Sequence, residues 1–202
     1  MFFENLLLAT GNRGKYEEFR AILPESFVGS LLFAPEVGGL AVEETGGSYA
    51  MNAVLKARAW AEVSGLPSLA DDSGLEVAAL GGAPGVRSAR IVEGSDEDRN
   101  RWLLSRMEGR HDRRARFVAA LALSVPRGWT LVCEGECPGR IAEAPTGAGG
   151  FGYDPLFLPD GFSGSFADLP ADAKNAVSHR AAALRGLLEI MTESRFRGTQ
   201  RA

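Results

Sequence analysis

Between Gly11 and Lys15 the chain reads GNRGK, two glycines and two cations in a short run that follows Thr10. Backbone N–H groups left free by a glycine turn, joined by Lys and Arg side chains, are suited to phosphate oxygens. The run is not a P-loop. That motif needs G-x-x-x-x-G-K-[ST], but Ala9 stands where its first glycine belongs and Tyr16 where a hydroxyl should hold Mg²⁺. What survives is a strand over Leu6 to Ala9, a basic turn, and a helix over Lys15 to Leu23. Free donors, a positive helix end and two cations in one place suit a polyphosphate. An ordinary strand-to-helix connection with solvated Arg13 and Lys15 is the alternative.

Three acidic stretches could complement that turn: EETGG with Glu43 and Glu44, ADDSG with Asp71, Asp72 and Ser73, and FGYDP with Asp154. Carboxylates gathered from separate loops make an oxygen-ligand site for Mg²⁺, which keeps waters and shares phosphate oxygens with its substrate. At a strand end, alternation points Asp71 and Asp72 in opposite directions, so one enters the site and the other ties down the turn. Gly147, Gly149 and Gly152 satisfy G-x-G-x-x-G, but a helix must start inside a dinucleotide motif and YDPLFLPDG follows instead. Glycines around Phe151 leave its ring able to stack on a planar group, or it is a core residue. AKNAVSHR adds Lys174, His179 and Arg180. In an unbroken helix these three cannot share a face, so either a helix begins near Ser178 or they meet a ligand from different directions; a surface-facing His179 is the alternative.

The elements that must position these groups alternate along the chain. A strand is expected over Ser30–Val37, a helix over Ser48–Ser64 stopped by Gly65-Leu66-Pro67, and short separate strands in SLADDSG and LEVAAL. A helix follows over Asp96–Met107, with acids in its first turn. ARFVAALALSV and TLVCEGECPGRIAEA then form a hairpin about PRGW, and a final helix carries Val177, Ala181, Leu184, Leu188 and Met191 on one face. At 202 residues and 45% hydrophobic content the chain suits one domain, expected over 1–194, with a loose tail over 195–202. The expected class is mixed α/β (α+β).

A net charge of −4 argues against a nucleic-acid coat, and the N-terminal apolar run is too short for a signal or a membrane span. Cys133 and Cys137 are the only cysteines and His111 and His179 the only histidines, so neither a zinc site nor a disulfide framework is expected. The cytoplasm is the expected compartment, with no nucleic-acid or membrane partner.

Taken together and in order, T-G-N-x-x-K, E-E-T-G, N-A-x-x-K-A, A-D-D-S-G-L, G-G-A-P-G, G-G-F-G-Y-D-P and S-H-R resemble the inosine triphosphate pyrophosphatase family, also called dITP/XTP pyrophosphatases, over residues 6 to about 190. The resemblance implies an elongated, two-lobed α/β fold about a long mixed, partly antiparallel sheet flanked by helices, and a homodimer. It implies Mg²⁺-dependent hydrolysis of ITP, dITP and XTP to the monophosphate and pyrophosphate. By position, Thr10, Gly11, Asn12, Arg13, Gly14 and Lys15 would hold the triphosphate, and Glu43 and Asp72 the metal. Asp72 would also accept the proton, with Lys15 assisting catalysis. Ser73 would touch substrate. Phe151, Gly152, Tyr153 and Asp154 would line the base pocket, and Lys174, His179 and Arg180 would read the purine. Two positions depart from the family pattern: Met51, where a glutamate would complete a capping box with Ser48, and Arg87, where a tyrosine is usual. A pyrophosphatase for pyrimidine or modified-base triphosphates, or a nucleotide-binding regulator without hydrolysis, are the alternatives.

Overall fold

The computed structural model describes residues 1–199. Leu6, Leu7 and Leu8 are all fully buried, as in a strand covered on both faces. They close β1 (Phe3–Leu8), which Asn12 terminates by capping α1 (Arg13–Ile22): its side chain accepts from the Lys15 N–H. Next come β2 (Val28–Phe33) and a single helical turn, α2 (Ala34–Val37). The strand expected through Val37 therefore stops at Phe33, because Pro35 fixes φ near the helical value in a first turn that needs no N–H from it. Ser48 caps α3 (Tyr49–Ser64) and Gly65, at φ +70, ends it.

β3 (Ser68–Val77) is one continuous strand, where two short strands separated by a turn were expected. Asp, Ser and Gly favour turns through bonds to their own backbone, but here both aspartates have tertiary partners instead, and the extended strand wins. α4 (Asp96–Met107) opens with a complete Ser95–Asp98 capping box. β4 (Arg114–Ser124) and β5 (Thr130–Ile141) form the expected hairpin, its Val125 N–H bonded to the Trp129 carbonyl at 3.1 Å. After β6 (Phe157–Pro159), the single final helix expected from the sequence is two: α5 (Ala171–Val177) and α6 (His179–Thr199), broken at Ser178, whose ψ of 153° is extended. α6 carries the backbone to Thr199; the remainder of the tail expected over 195–202 lies outside the described residues.

The strands make one six-stranded mixed sheet in the order β2-β1-β3-β4-β5-β6, with β1 parallel to β2 and β3, and β5 antiparallel to β6. The class expected from the sequence is the one observed. Two compact units divide the chain. The first holds residues 1–72, 119–135 and 180 onward, and packs α1 and α6 on one sheet face through Leu6, Leu8, Phe19, Leu69, Leu121, Leu184 and Leu187. The second holds residues 73–118 and 136–179 and has its own core, in which Leu75, Val77, Leu103, Phe117, Phe157 and Phe166 meet. Cys133 and Cys137 are buried free thiols. No helix among the described residues is long and apolar enough to cross a membrane.

Candidate active site

Within the first unit, alternation along β3 sends Asp71 and Asp72 to opposite faces of the strand, and each meets a different set of helices. Asp71, 1% exposed, takes the Lys15 ammonium of α1 at 2.7 Å and the Arg180 Nε of α6 at 3.2 Å on the same oxygen, Oδ2. Arg180 also donates from Nη1 to Glu18 Oε2 at 2.8 Å. Asp72, 6% exposed, is held from α3: Asn52 Nδ2 donates to its Oδ2 at 3.0 Å and Lys56 Nζ to its Oδ1 at 3.2 Å. The same ammonium donates to Glu44 Oε1 at 2.6 Å and to the Asp71 carbonyl at 2.9 Å. Asn52 and Lys56 are four residues apart, which puts both on one helix face.

In this cluster Glu18, Glu44, Asp71 and Asp72 face Lys15, Lys56 and Arg180. Burial raises the Asp72 carboxyl above the usual carboxylate range and the neighbouring Glu44 adds to it, against the pull of Lys56, Asn52 and Lys15. Burial depresses the Lys56 ammonium, but Asp72, Glu44 and Asp71 outweigh it and leave Lys56 above the ordinary lysine value. Lys15 is lowered, because burial together with Arg180 and Lys56 exceeds the support of Asp71. The hard carboxylate oxygens of Glu44 and Asp72, both on the Lys56 ammonium, are of the donor type that suits a divalent cation. Among the described residues no group of three or more His, Cys, Asp or Glu side chains is placed to hold a metal alone, so such an ion would complete its shell from waters and phosphate oxygens, the habit of Mg²⁺.

In the second unit the FGYDP loop is built around Asp154. Its Oδ2 accepts from the Phe151 N–H at 2.8 Å and from Lys174 Nζ at 2.6 Å, and the ammonium lies 5.0 Å from the Phe151 ring centroid and 5.5 Å from that of Phe166. α4 clamps the loop from the other side, with Gly152 donating to Asp96 at 2.7 Å and accepting from Asn100 Nδ2 at 3.0 Å. A fixed ammonium beside an aromatic face can hydrogen-bond the keto edge of a planar ring stacked there.

The structure sorts the expected residues. Lys15, Asp72 and Arg180 share the first cluster, whereas Phe151, Gly152, Asp154 and Lys174 share the second. Adjacent in sequence, His179 and Arg180 part company. Arg180 joins Asp71 and Glu18, while His179 is buried and stacked on Phe117 at 4.7 Å and 11°, so it is not surface-facing. Asn12 spends its side chain on the α1 cap, and Thr10 Oγ1 accepts from the Asn12 N–H at 3.1 Å. Gly11 has open space where a Cβ would stand. Gly14 lies in the first turn of α1, and Ser73 is half-buried within β3. Arg13 is exposed, faces Glu17 and Glu36, and lies over the Tyr16 and Phe33 rings. Tyr153 is a core residue whose hydroxyl donates to the Ser88 carbonyl at 3.0 Å. Glu44, not Glu43, is the acid brought to Asp72 through Lys56; Glu43 is exposed, because adjacent residues in an extended segment point apart. Sequence reasoning missed Asn52, Lys56 and Glu18 as members of the cluster and named Glu44 only beside Glu43, although the N-A-x-x-K-A spacing places Asn52 and Lys56 on one face.

In the first unit two buried acids of one strand are held by lysines, and in the second an ammonium on α5 lies beside two aromatic rings, on the mixed sheet of an α/β protein. The chain belongs to the Ham1 family, whose model matches residues 6–190. It is 50% identical over 192 residues to a dITP/XTP pyrophosphatase of Symbiobacterium thermophilum, covering 92% of this chain and 94% of that protein. Among solved structures, a HAM1 protein from Coxiella burnetii matches with a TM-score of 0.83 at 38% identity, over 94% of this chain and 99% of that one. A nucleoside-triphosphatase / dITP/XTP pyrophosphatase from Mycobacterium abscessus matches at 0.72 and 42% identity, over 91% and 98%.

Proposed function

We propose that this chain hydrolyses ITP, dITP and XTP to the nucleoside monophosphate and pyrophosphate in a Mg²⁺-dependent reaction, removing miscoding purines from the nucleotide pool. The observation that carries the reading is Asp72: a buried carboxylate of raised basicity, oriented by Asn52 and Lys56 beside a second cationic group built on Lys15. Asp72 takes a proton from water as its oxygen attacks the α-phosphorus; the bond from that phosphorus to the bridging oxygen breaks, and pyrophosphate leaves with the bond's electron pair. A base matched to neutral pH gains from an upward shift, which burial supplies. Lys15, released from Asp71, and the turn from Thr10 to Gly14 steady the triphosphate, and Arg180 holds Asp71 in place meanwhile. Mg²⁺ would be held by Asp72 with Glu43 or Glu44 and would offset charge on the phosphoryl oxygens. Ser73 is assigned to the substrate as well.

The base is assigned to Phe151 through Asp154, with Lys174 donating to the 6-oxo group and His179 backing the pocket. An adenine offers an amino group there and leaves the donor unmatched, which is the form of discrimination that reaches large ratios. Residues 1–194 act as one domain in this reading, and the active form is a cytoplasmic homodimer.

The test is turnover of dITP, XTP, ATP and dTTP with Mg²⁺ by wild type, Asp72→Asn, Glu43→Gln and Glu44→Gln. Asp72→Asn is expected to lose on the order of 10²- to 10⁴-fold in kcat on dITP, and the two glutamine variants identify which glutamate the metal uses. Equal kcat/KM for ATP and dITP would remove the purine assignment. Retained dITP binding without any turnover would make the chain a nucleotide-binding regulator.

A further inference from the structure

The second unit carries another cavity, of about 390 Å³, lined by Ala79, Leu80, Ala83, Trp102, Arg106 and Arg110. Its apolar wall is anchored, since Ala79, Leu80 and Trp102 pack against the core of that unit. Its cations are not neutralised. Five arginines near them in sequence have anionic or carbonyl partners, Arg99 with Asp96, Arg101 with Asp98, Arg114 with Asp112, Arg116 with Glu76 and Glu136, and Arg113 with the Ile141 and Ala142 carbonyls, whereas Arg87 and Arg140 of the same unit line neither cavity. Among the described residues, Arg106 and Arg110 have no ion pair, although Glu108 stands between them in sequence. Arg106 lies over the Trp102 ring at 5.9 Å.

A neighbouring cavity of about 290 Å³ shows the contrast: its arginines, Arg114 and Arg116, are the ones already matched to Asp112, Glu76 and Glu136. An indole face, a small apolar wall and two unmatched guanidiniums are complementary to a planar ring carrying a phosphate monoester. The ring stacks on Trp102, and each guanidinium offers a fork of N–H donors to the dianion. The volume lies within the usual range for small-molecule sites. Arg106 lies in the last turn of α4 and Arg110 three residues beyond its end, where a cation also offsets the helix's negative end, so the bound anion must draw on both to outweigh that dipole.

We propose that this cavity is a second anion site for an aromatic phosphate monoester, with a nucleoside monophosphate as its representative ligand, separate from the groups assigned to the reaction. The probe is AMP, which lacks the 6-oxo group. Its binding to the full chain is followed by tryptophan fluorescence and by equilibrium dialysis, beside adenosine and inorganic phosphate. Expected are saturable quenching by AMP that disappears in Trp102→Phe, weakening of at least about tenfold in Arg106→Ala/Arg110→Ala, and much weaker binding of adenosine or phosphate alone. The double variant is expected to melt like wild type, since both side chains are exposed, and to keep its kcat/KM for dITP. With IMP the dialysis stoichiometry falls by one equivalent per chain in the double variant. AMP binding that is unchanged in the double variant, or an IMP stoichiometry that does not fall, overturns the proposal. Because the AMP measurement needs no turnover, its outcome is independent of whether dITP is hydrolysed.

Discussion

At the scale of single residues, Asp71 and Asp72 look alike in the sequence and do different work. Asp71 is locked between two cations in an almost water-free site. Replacing it with asparagine leaves Lys15 and Arg180 with an uncompensated share of buried charge, and about 3–5 kcal/mol of stability is expected to go; urea unfolding measures it. Tyr153 gives a prediction in pH. Burial, with Asp96 adding to it and Arg99 opposing it, pushes its hydroxyl up to about 12. A raised acid is neutral in the fold, so its contribution is complete below pH 10 and is lost as pH rises toward 12, in total about 3 kcal/mol. The phenolate absorbance of wild type against Tyr153→Phe should show one tyrosine titrating only in that upper window; a normal titration would remove the buried hydrogen bond to Ser88. These roles were partly legible. Carboxylates, Lys15 and Lys174 are conspicuous by type, but which glutamate faces Asp72 is a matter of one-residue phase in an extended segment, which no local pattern fixes.

At the scale of elements, two capped helices hold the acids of the first unit and a glycine loop holds Asp154 in the second. α3 starts on half a capping box: Ser48 accepts from the Met51 N–H at 3.2 Å, and the Met51 side chain is 57% exposed with nothing to return. Met51→Glu supplies the missing acceptor and is expected to add about 0.5–1 kcal/mol, a rise of roughly 1–4 °C in Tm for a chain of this size; a lowered Tm would contradict the assigned cap. In the second unit Gly150 sits at φ +73, and a Cβ there would collide with the Asp154 carboxylate that orients Lys174. Gly150→Ala should cost on the order of 10- to 100-fold in kcat/KM for dITP. Gly161→Ala, at φ +84 with open space around it, should cost stability alone. Helices were read well because caps and apolar spacing are local signals. β3 was misread because D-D-S-G looks like a turn until distant partners are known, and the α5–α6 break was legible only as one alternative, a helix start near Ser178, beside a final helix that includes Val177.

At the scale of the whole molecule, most of the order of strands and helices followed from the sequence, although β6 and the turn α2 did not; two lobes were implied only by the resemblance, because the unit boundaries fall inside β3, β4, β5 and α6, where no linker marks them. The acids assigned above to a cation are few and owe their placement to lysines and an asparagine, so the proposed ion would be a reagent and not a staple. Chelation should therefore stop dITP turnover while leaving the Tm of the ligand-free chain within about 2 °C; a large fall in Tm would assign the ion a structural role. The alternation of β3 carries one more implication, for inheritance. Because neighbouring side chains on that strand serve opposite clienteles, loss or gain of a single codon between Ser68 and Ala70 would hand the Lys15 and Arg180 partnership to the wrong acid and turn Leu69 away from its core. A gene for this chain should tolerate many exchanges of letter along that stretch and almost no change in its spacing.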